Sequence, residues 1–112
     1  MKPKKQNSTP TKTSKNIKSD LGNDWEFDLY VAGETPETIT TLANLKSMCE
    51  HLKIGYKINV IDLIKNPNLA KEMQIFAIPT TIRKNPIPNQ RLIGDFSNQN
   101  DMVSKFGIKE DE

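Results

Sequence analysis

The chain has 112 residues, 35% of them hydrophobic, with sixteen basic and fourteen acidic side chains, one cysteine and one histidine. That is the length of one domain. It excludes an internal disulfide and gives no cysteine–histidine cluster of the kind zinc needs, so no metal or cofactor is expected. No apolar run exceeds four residues, Ile75 to Ile78 being one of them, which excludes a membrane-spanning helix.

The first 24 residues hold six lysines against two aspartates, a net +4, with Met1, Ile17 and Leu21 as their only apolar side chains. The remaining residues, with ten basic and twelve acidic groups, are near −2. So polar a segment buries too little surface to offset its ordering entropy, and residues 1–24 are expected to be a disordered basic tail ahead of a folded domain, 25–112. Its lysines are scattered, with no arginine and no aromatic side chain to stack on bases, so nucleic acid is not an expected partner. No apolar stretch follows the first lysines, so it is not a secretory signal, and a lone cysteine fits a reducing, cytoplasmic setting.

From Trp25 to Ala32 the pattern alternates, with Trp25, Phe27, Leu29 and Val31 on one face and Glu26, Asp28 and Tyr30 on the other: a first strand. Thr35 then suits a helix N-cap, Pro36 the first helical position and Glu37 the dipole. Ile39, Leu42, Leu45, Cys49 and Leu52 recur at helical spacing as one apolar stripe, with Gly55 as the expected stop. Cys49 on that stripe reads as a core residue and His51 as a solvated one.

Tyr56–Leu63 reads as a second, central strand. The helix between the two strands implies a parallel, right-handed crossover. A short helix follows, with Asn66 as N-cap, Pro67 at its first position, and Leu69 and Met73 on its thin apolar edge. Thr80–Arg83 and Gln90–Ile93 read as an antiparallel hairpin across a six-residue loop, with Pro79 at the strand start, where a missing N–H does least harm. Ser97 is the expected cap of a last helix whose apolar side is Met102, Val103 and Phe106, ended by Gly107. Asp62 and Asp95, the carboxylates nearest strand ends, read as turn and cap residues.

The resulting order, βαβαββα around a mixed four-stranded sheet with helices on both faces, is α/β and thioredoxin-like. In such folds an apolar residue before a proline with β-branched residues after it marks a cis-proline, which makes Ile78–Pro79 the candidate. The turn opening the first helix, where redox thioredoxins carry their reactive pair, is Gly33-Glu34-Thr35-Pro36 and holds no thiol. With no Cys-x-x-Cys, Gly-x-Gly-x-x-Gly or phosphate loop, no catalytic residue is assigned and a binding module is the better reading. Single-cysteine redox chemistry at Cys49 is the enzymatic alternative.

Leu29-Tyr-Val-Ala-Gly33, Thr35-Pro36, Val60-Ile-Asp62, Lys65-Asn-Pro67, Leu69-Ala70, Pro79-Thr80 and Ile93-Gly-Asp95 with Ser97 together resemble the circadian clock protein KaiB family over about residues 27–108. The resemblance implies a non-enzymatic adaptor that binds a KaiC-type RecA-like ATPase and self-associates as a dimer or tetramer. It implies contact through Asn66–Ile78, where Asn66, Pro67, Leu69, Ala70 and Ile75 match. It also implies an alternative resting fold, βαββααβ, whose second half reads ααβ instead of ββα, with Pro79, Pro86, Pro88 and Gly107 in the switching region. Short, weakly apolar elements after Leu63 are compatible with two packings that differ by a few kcal/mol. A sensor module serving a histidine kinase of the SasA type is the alternative partner reading.

The chain departs from the family where clock members tend to be basic. It has Asp28 on the first strand, Thr40 on the helix after it, and Gln90-Arg91 before Leu92-Ile93. A partner reading a basic surface, such as KaiA, finds less to hold. Gly107-Ile108-Lys109 replaces Gly-Leu-Asp, and a lysine suits a helix C-terminus better. The expectation is a chain leaning toward its thioredoxin-like state.

Overall fold

A computed structural model of the chain describes residues 15–22 and 24–106. Residues 1–14 of the expected tail, and Gly107 with the residues after it, lie outside the described residues. The elements are β1 (Lys15–Lys18), β2 (Trp25–Val31), α1 (Pro36–His51), β3 (Tyr56–Asp62), α2 (Pro67–Glu72), β4 (Thr80–Asn85), β5 (Gln90–Ile93) and α3 (Gln99–Lys105). They form one sheet of order β1-β3-β2-β4-β5, with β2 and β3 parallel and every other pair antiparallel.

The sheet has five strands, not the four expected. β1 lies inside the stretch read as disordered and pairs with β3 from Lys15↔Val60 to Lys18↔Lys57. Its composition alone does not form a strand; the open edge of β3 supplies the ladder partners that the segment lacks by itself.

Each face of the sheet has its own core. Phe27, Leu29 and Val31 of β2 and Ile58 and Val60 of β3 pack against Leu45, Met48 and Cys49 of α1 and Met102, Val103 and Phe106 of α3. On the other face, Tyr30, Ile61 and Ile82 pack against Leu69 of α2 and Ile75 just after it. Burying each large aliphatic or aromatic side chain is worth about 1.5–3 kcal/mol, so the 14-residue cluster under α1 and α3 is the main source of stability and the six-residue cluster under α2 the lesser one.

The α1 stripe differs from the expected one at its first turn. Thr38 and Thr41 face the sheet, and Ile39 is 62% exposed. The two hydroxyls donate within the helix start, Thr38 Oγ1 to the Gly33 carbonyl at 2.8 Å and Thr41 Oγ1 to the Glu37 carbonyl at 2.7 Å. With their polar atoms satisfied, the threonines can occupy core positions. The helix ends at His51, and Lys53, at φ 56°, takes the left-handed position after it. Gly55 therefore does not end the helix. It is needed because a Cβ there would lie 2.8 Å from the Leu21 carbonyl oxygen in the turn after β1.

Two caps are also reassigned. Asn66 makes no side-chain cap bond to α2 and instead donates from Nδ2 to the Asp62 carbonyl at 3.1 Å. α3 is capped by Asn98, whose Oδ1 accepts from Asp101 N–H at 3.0 Å, while the Ser97 N–H donates to Asp95 Oδ1. β4 runs to Asn85, two residues longer than expected, because Asn85 pairs with Glu26 across an irregularity in β2. The hairpin loop shortens accordingly to residues 86–89.

Candidate functional site

Two regions could carry function in a fold of this shape: the turn that opens α1 and the segment from α2 to β4. The first is built as a rigid hydrogen-bonded corner. Gly33, at φ +81°, donates its N–H to Asp62 Oδ1 at 3.0 Å, and the same oxygen accepts from Ile64 N–H at 2.9 Å. Asp62 thus ties the β2–α1 turn to the β3–α2 turn. Thr35 caps α1, its Oγ1 accepting from Thr38 N–H at 3.1 Å. No nucleophile stands in this corner. Cys49 is fully buried against the sheet, and burial with the nearby Glu50 carboxylate pushes its thiol up to about 12. A neutral, inaccessible thiol is not a nucleophile. His51 is exposed on the last turn of α1.

The second region is a short helix and an extended loop held from below. Arg91 of β5 donates from Nη1 to the Gln74 carbonyl at 2.7 Å and from Nη2 to the Met73 carbonyl at 2.9 Å. These are carbonyls that the end of α2 leaves without helical partners. Ile75 N–H donates to the Ala70 carbonyl at 2.8 Å. The residues the sequence singled out separate into two groups. Pro67 is exposed, and Asn66 and Ala70 are partly exposed. Leu69 and Ile75 point into the core, 7% and 8% exposed, and anchor the segment to the sheet instead of facing outward.

Among exposed polar side chains (Asn68, Lys71, Glu72 and Gln74), the segment also turns three apolar ones outward. Phe76 is 90% exposed, Ile78 44% and Met73 37%. An aromatic side chain exposed in a braced loop is an anomaly for a surface. A continuous apolar run such as Ile75–Ile78 suggests burial throughout, which hid Phe76 from the sequence. Pro79, at the end of the loop, follows a cis Ile78–Pro79 bond, and the Asn85–Pro86 and Ile87–Pro88 bonds are also cis.

Among the described residues no group of three or more histidine, cysteine or acidic side chains could hold a metal ion, and no helix is long and apolar enough to cross a membrane.

The sheet order and the placing of α1, α2 and α3 make this a thioredoxin-like protein. The fold is similar to the N-terminal domain of Synechococcus elongatus SasA, with a TM-score of 0.63 at 16% identity over 84% of this chain and 93% of that one. It is likewise similar to the germline-specific thioredoxin Deadhead of Drosophila melanogaster, with a TM-score of 0.56 at 11% identity over 78% and 82%. The chain belongs to the KaiB family, whose KaiB domain matches residues 28–105. It is 43% identical over 80 residues to the circadian clock oscillator protein KaiB of Thermosynechococcus vestitus, covering 70% of this chain and 74% of that protein. With the protein of the same name from Synechococcus elongatus it shares 46% identity over 72 residues, 63% of this chain and 71% of that one.

Proposed function

We propose that this chain is a non-enzymatic adaptor that docks on a KaiC-type RecA-like ATPase and changes its phosphorylation or its set of partners, in circadian or stress-related signalling in the cytoplasm. The observation that carries this reading is the braced, outward apolar loop of Met73, Phe76 and Ile78 beside exposed Pro67. Aromatic side chains on a preorganised segment are the usual energetic centre of a protein interface. Leu69 and Ile75 act from beneath, fixing the segment's height above the sheet. Self-association as a dimer or tetramer would compete for the same apolar surface.

The test is gel filtration of the full chain with its host's KaiC-type ATPase, loaded with ATP or with ADP. Co-elution is expected in one nucleotide state, and Phe76→Asp should weaken it by at least about thirtyfold, the equivalent of about 2 kcal/mol for an interface hot spot. Co-elution that Phe76→Asp leaves unchanged would move the contact elsewhere, and no co-elution in either state would end the reading. The likeness to the SasA N-terminal domain supports a second reading, a module serving a histidine kinase. Co-elution with the kinase and not with the ATPase would select it.

A further inference from the structure

The sheet face that carries α2 is only partly covered. Beside this six-residue helix a groove of about 480 Å³ extends across β2 and β4 to β5. Its apolar side is Leu69 and Met73 of α2 over Ile61 and Ile82 of the sheet. Its polar floor is Asp28 and Tyr30, two apart on β2 and therefore on one face.

That floor holds acceptors in excess of the cations fixed upon it. Asp28 is 8% exposed, and its Oδ1 accepts from Asn59 Nδ2 at 2.8 Å. The same amide donates to Glu26 Oε2 at 2.7 Å, which brings a second carboxylate to the rim. Among the described residues Asp28 Oδ2 is paired with Lys84 Nζ at 3.6 Å, a long ion pair on a half-exposed lysine. Arg91 lines the groove too, but its guanidinium is committed to the Met73 and Gln74 carbonyls. Tyr30 is 3% exposed as a residue, but its hydroxyl keeps access to the solvent of the groove it lines and has no protein hydrogen-bond partner among the described residues. A hydroxyl that only water satisfies can exchange that water for a ligand's donor at little cost. Burial raises the pKa of Asp28, and burial with the Asp28 carboxylate pushes Tyr30 up to about 12, both signs of desolvated acceptors.

We propose that this groove binds a small amphipathic organic cation, an ammonium or guanidinium group on an apolar body. Asp28 is the counter-ion, the Tyr30 hydroxyl a second acceptor, and the body lies along Leu69 and Met73. Lys84 is a placeholder that swings out when the ligand enters. An anion is disfavoured because Asp28 already faces Lys84, the cation it would use. The volume falls within the ordinary range for small-molecule sites. This inference does not rest on the partner reading, although the ligand would press on the inner side of α2.

The test titrates the isotope-labelled full chain with phenethylamine, its neutral analogue 2-phenylethanol and the anion 3-phenylpropionate, following backbone amide shifts. The amine is expected to shift residues of β2, β4 and β5 around Asp28, Tyr30 and Ile82, and to bind at least about tenfold more tightly than the other two. Asp28→Asn, which keeps an oxygen for Asn59, should lose about tenfold in affinity, and Lys84→Met should gain several-fold. Tyr30→Phe, which preserves the packing, should weaken binding and serves independently if the Asp28 variant does not fold. Equal binding of the alcohol, unchanged affinity in Asp28→Asn or Tyr30→Phe, weaker binding in Lys84→Met, or no shift at these residues up to about 10 mM amine would overturn the proposal.

Discussion

Tyr30, Tyr56 and Cys49 hold their protons more tightly in the fold than in the open chain, each pushed up to about 12, with burial the largest cause. For Tyr56 the hydrogen bond from its hydroxyl to Glu50 Oε2, at 2.9 Å, adds to this. A folded pKa above the unfolded value means a stability contribution that is complete below the unfolded pKa and lost as pH rises through the folded one. The melting temperature should therefore fall steeply between about pH 9 and 12. Cys49→Ala should flatten the early part of that fall, and an unchanged profile would show the thiol to be solvated. Asp28 obeys the same rule at the acid end: its raised pKa stabilises the fold when protonated, and that contribution fades as pH climbs above 3.8. Relative to wild type, Asp28→Asn should gain stability as pH rises through this window, measured by urea unfolding from pH 3 to 7. Alternation placed Asp28 beside Tyr30 on one face. What the sequence could not show is how little of α2 reaches over them.

At the scale of elements, β1 has the weakest local signal. Ile17 is its only apolar side chain and only half-buried, and its ion pair, Lys15 to Glu34 at 3.8 Å, is exposed and worth little. Its dependence on Gly55 is steric: Gly55 lies against the backbone of Leu21 and Gly22, so Gly55→Ala should push the β1 turn away without touching either core. Amides 57–60 of β3 should then exchange faster with solvent, while those of β2, inside the sheet, keep their protection. Unchanged protection at 57–60 would mean the turn gives way and β1 stays. The longer elements were legible because period and caps agree, as in α1, where Thr35, Pro36 and Glu37 all mark one start. The misplaced caps at Asn66 and Ser97 lie in polar runs, where several residues could serve equally and geometry chooses.

For the whole molecule, Arg83 joins parts that the sequence keeps far apart. Buried on β4, it stacks 4.8 Å from the Trp25 ring, donates from Nη2 to the Pro88 carbonyl at 2.9 Å, and donates from Nη1 to the Phe106 carbonyl at the end of α3. Arg83→Ala should cost about 2 kcal/mol or more in urea unfolding, since it strips a buried carbonyl, a part-buried one and a cation–π contact at once; a loss below about 0.5 kcal/mol would show that water replaces them. By itself the sequence determined the order of the seven elements from Trp25 onward, the parallel β2–β3 pair, a family of thioredoxin-like shape and the absence of a thiol from the α1 turn. These rest on period, caps and residue identity, which are local. Tertiary structure alone decided that Lys15–Lys18 is a strand, that Ile75 faces inward while Phe76 faces out, and that Asp28 and Tyr30 open into a groove. Each of those depends on where a distant segment ends, and no local pattern records that.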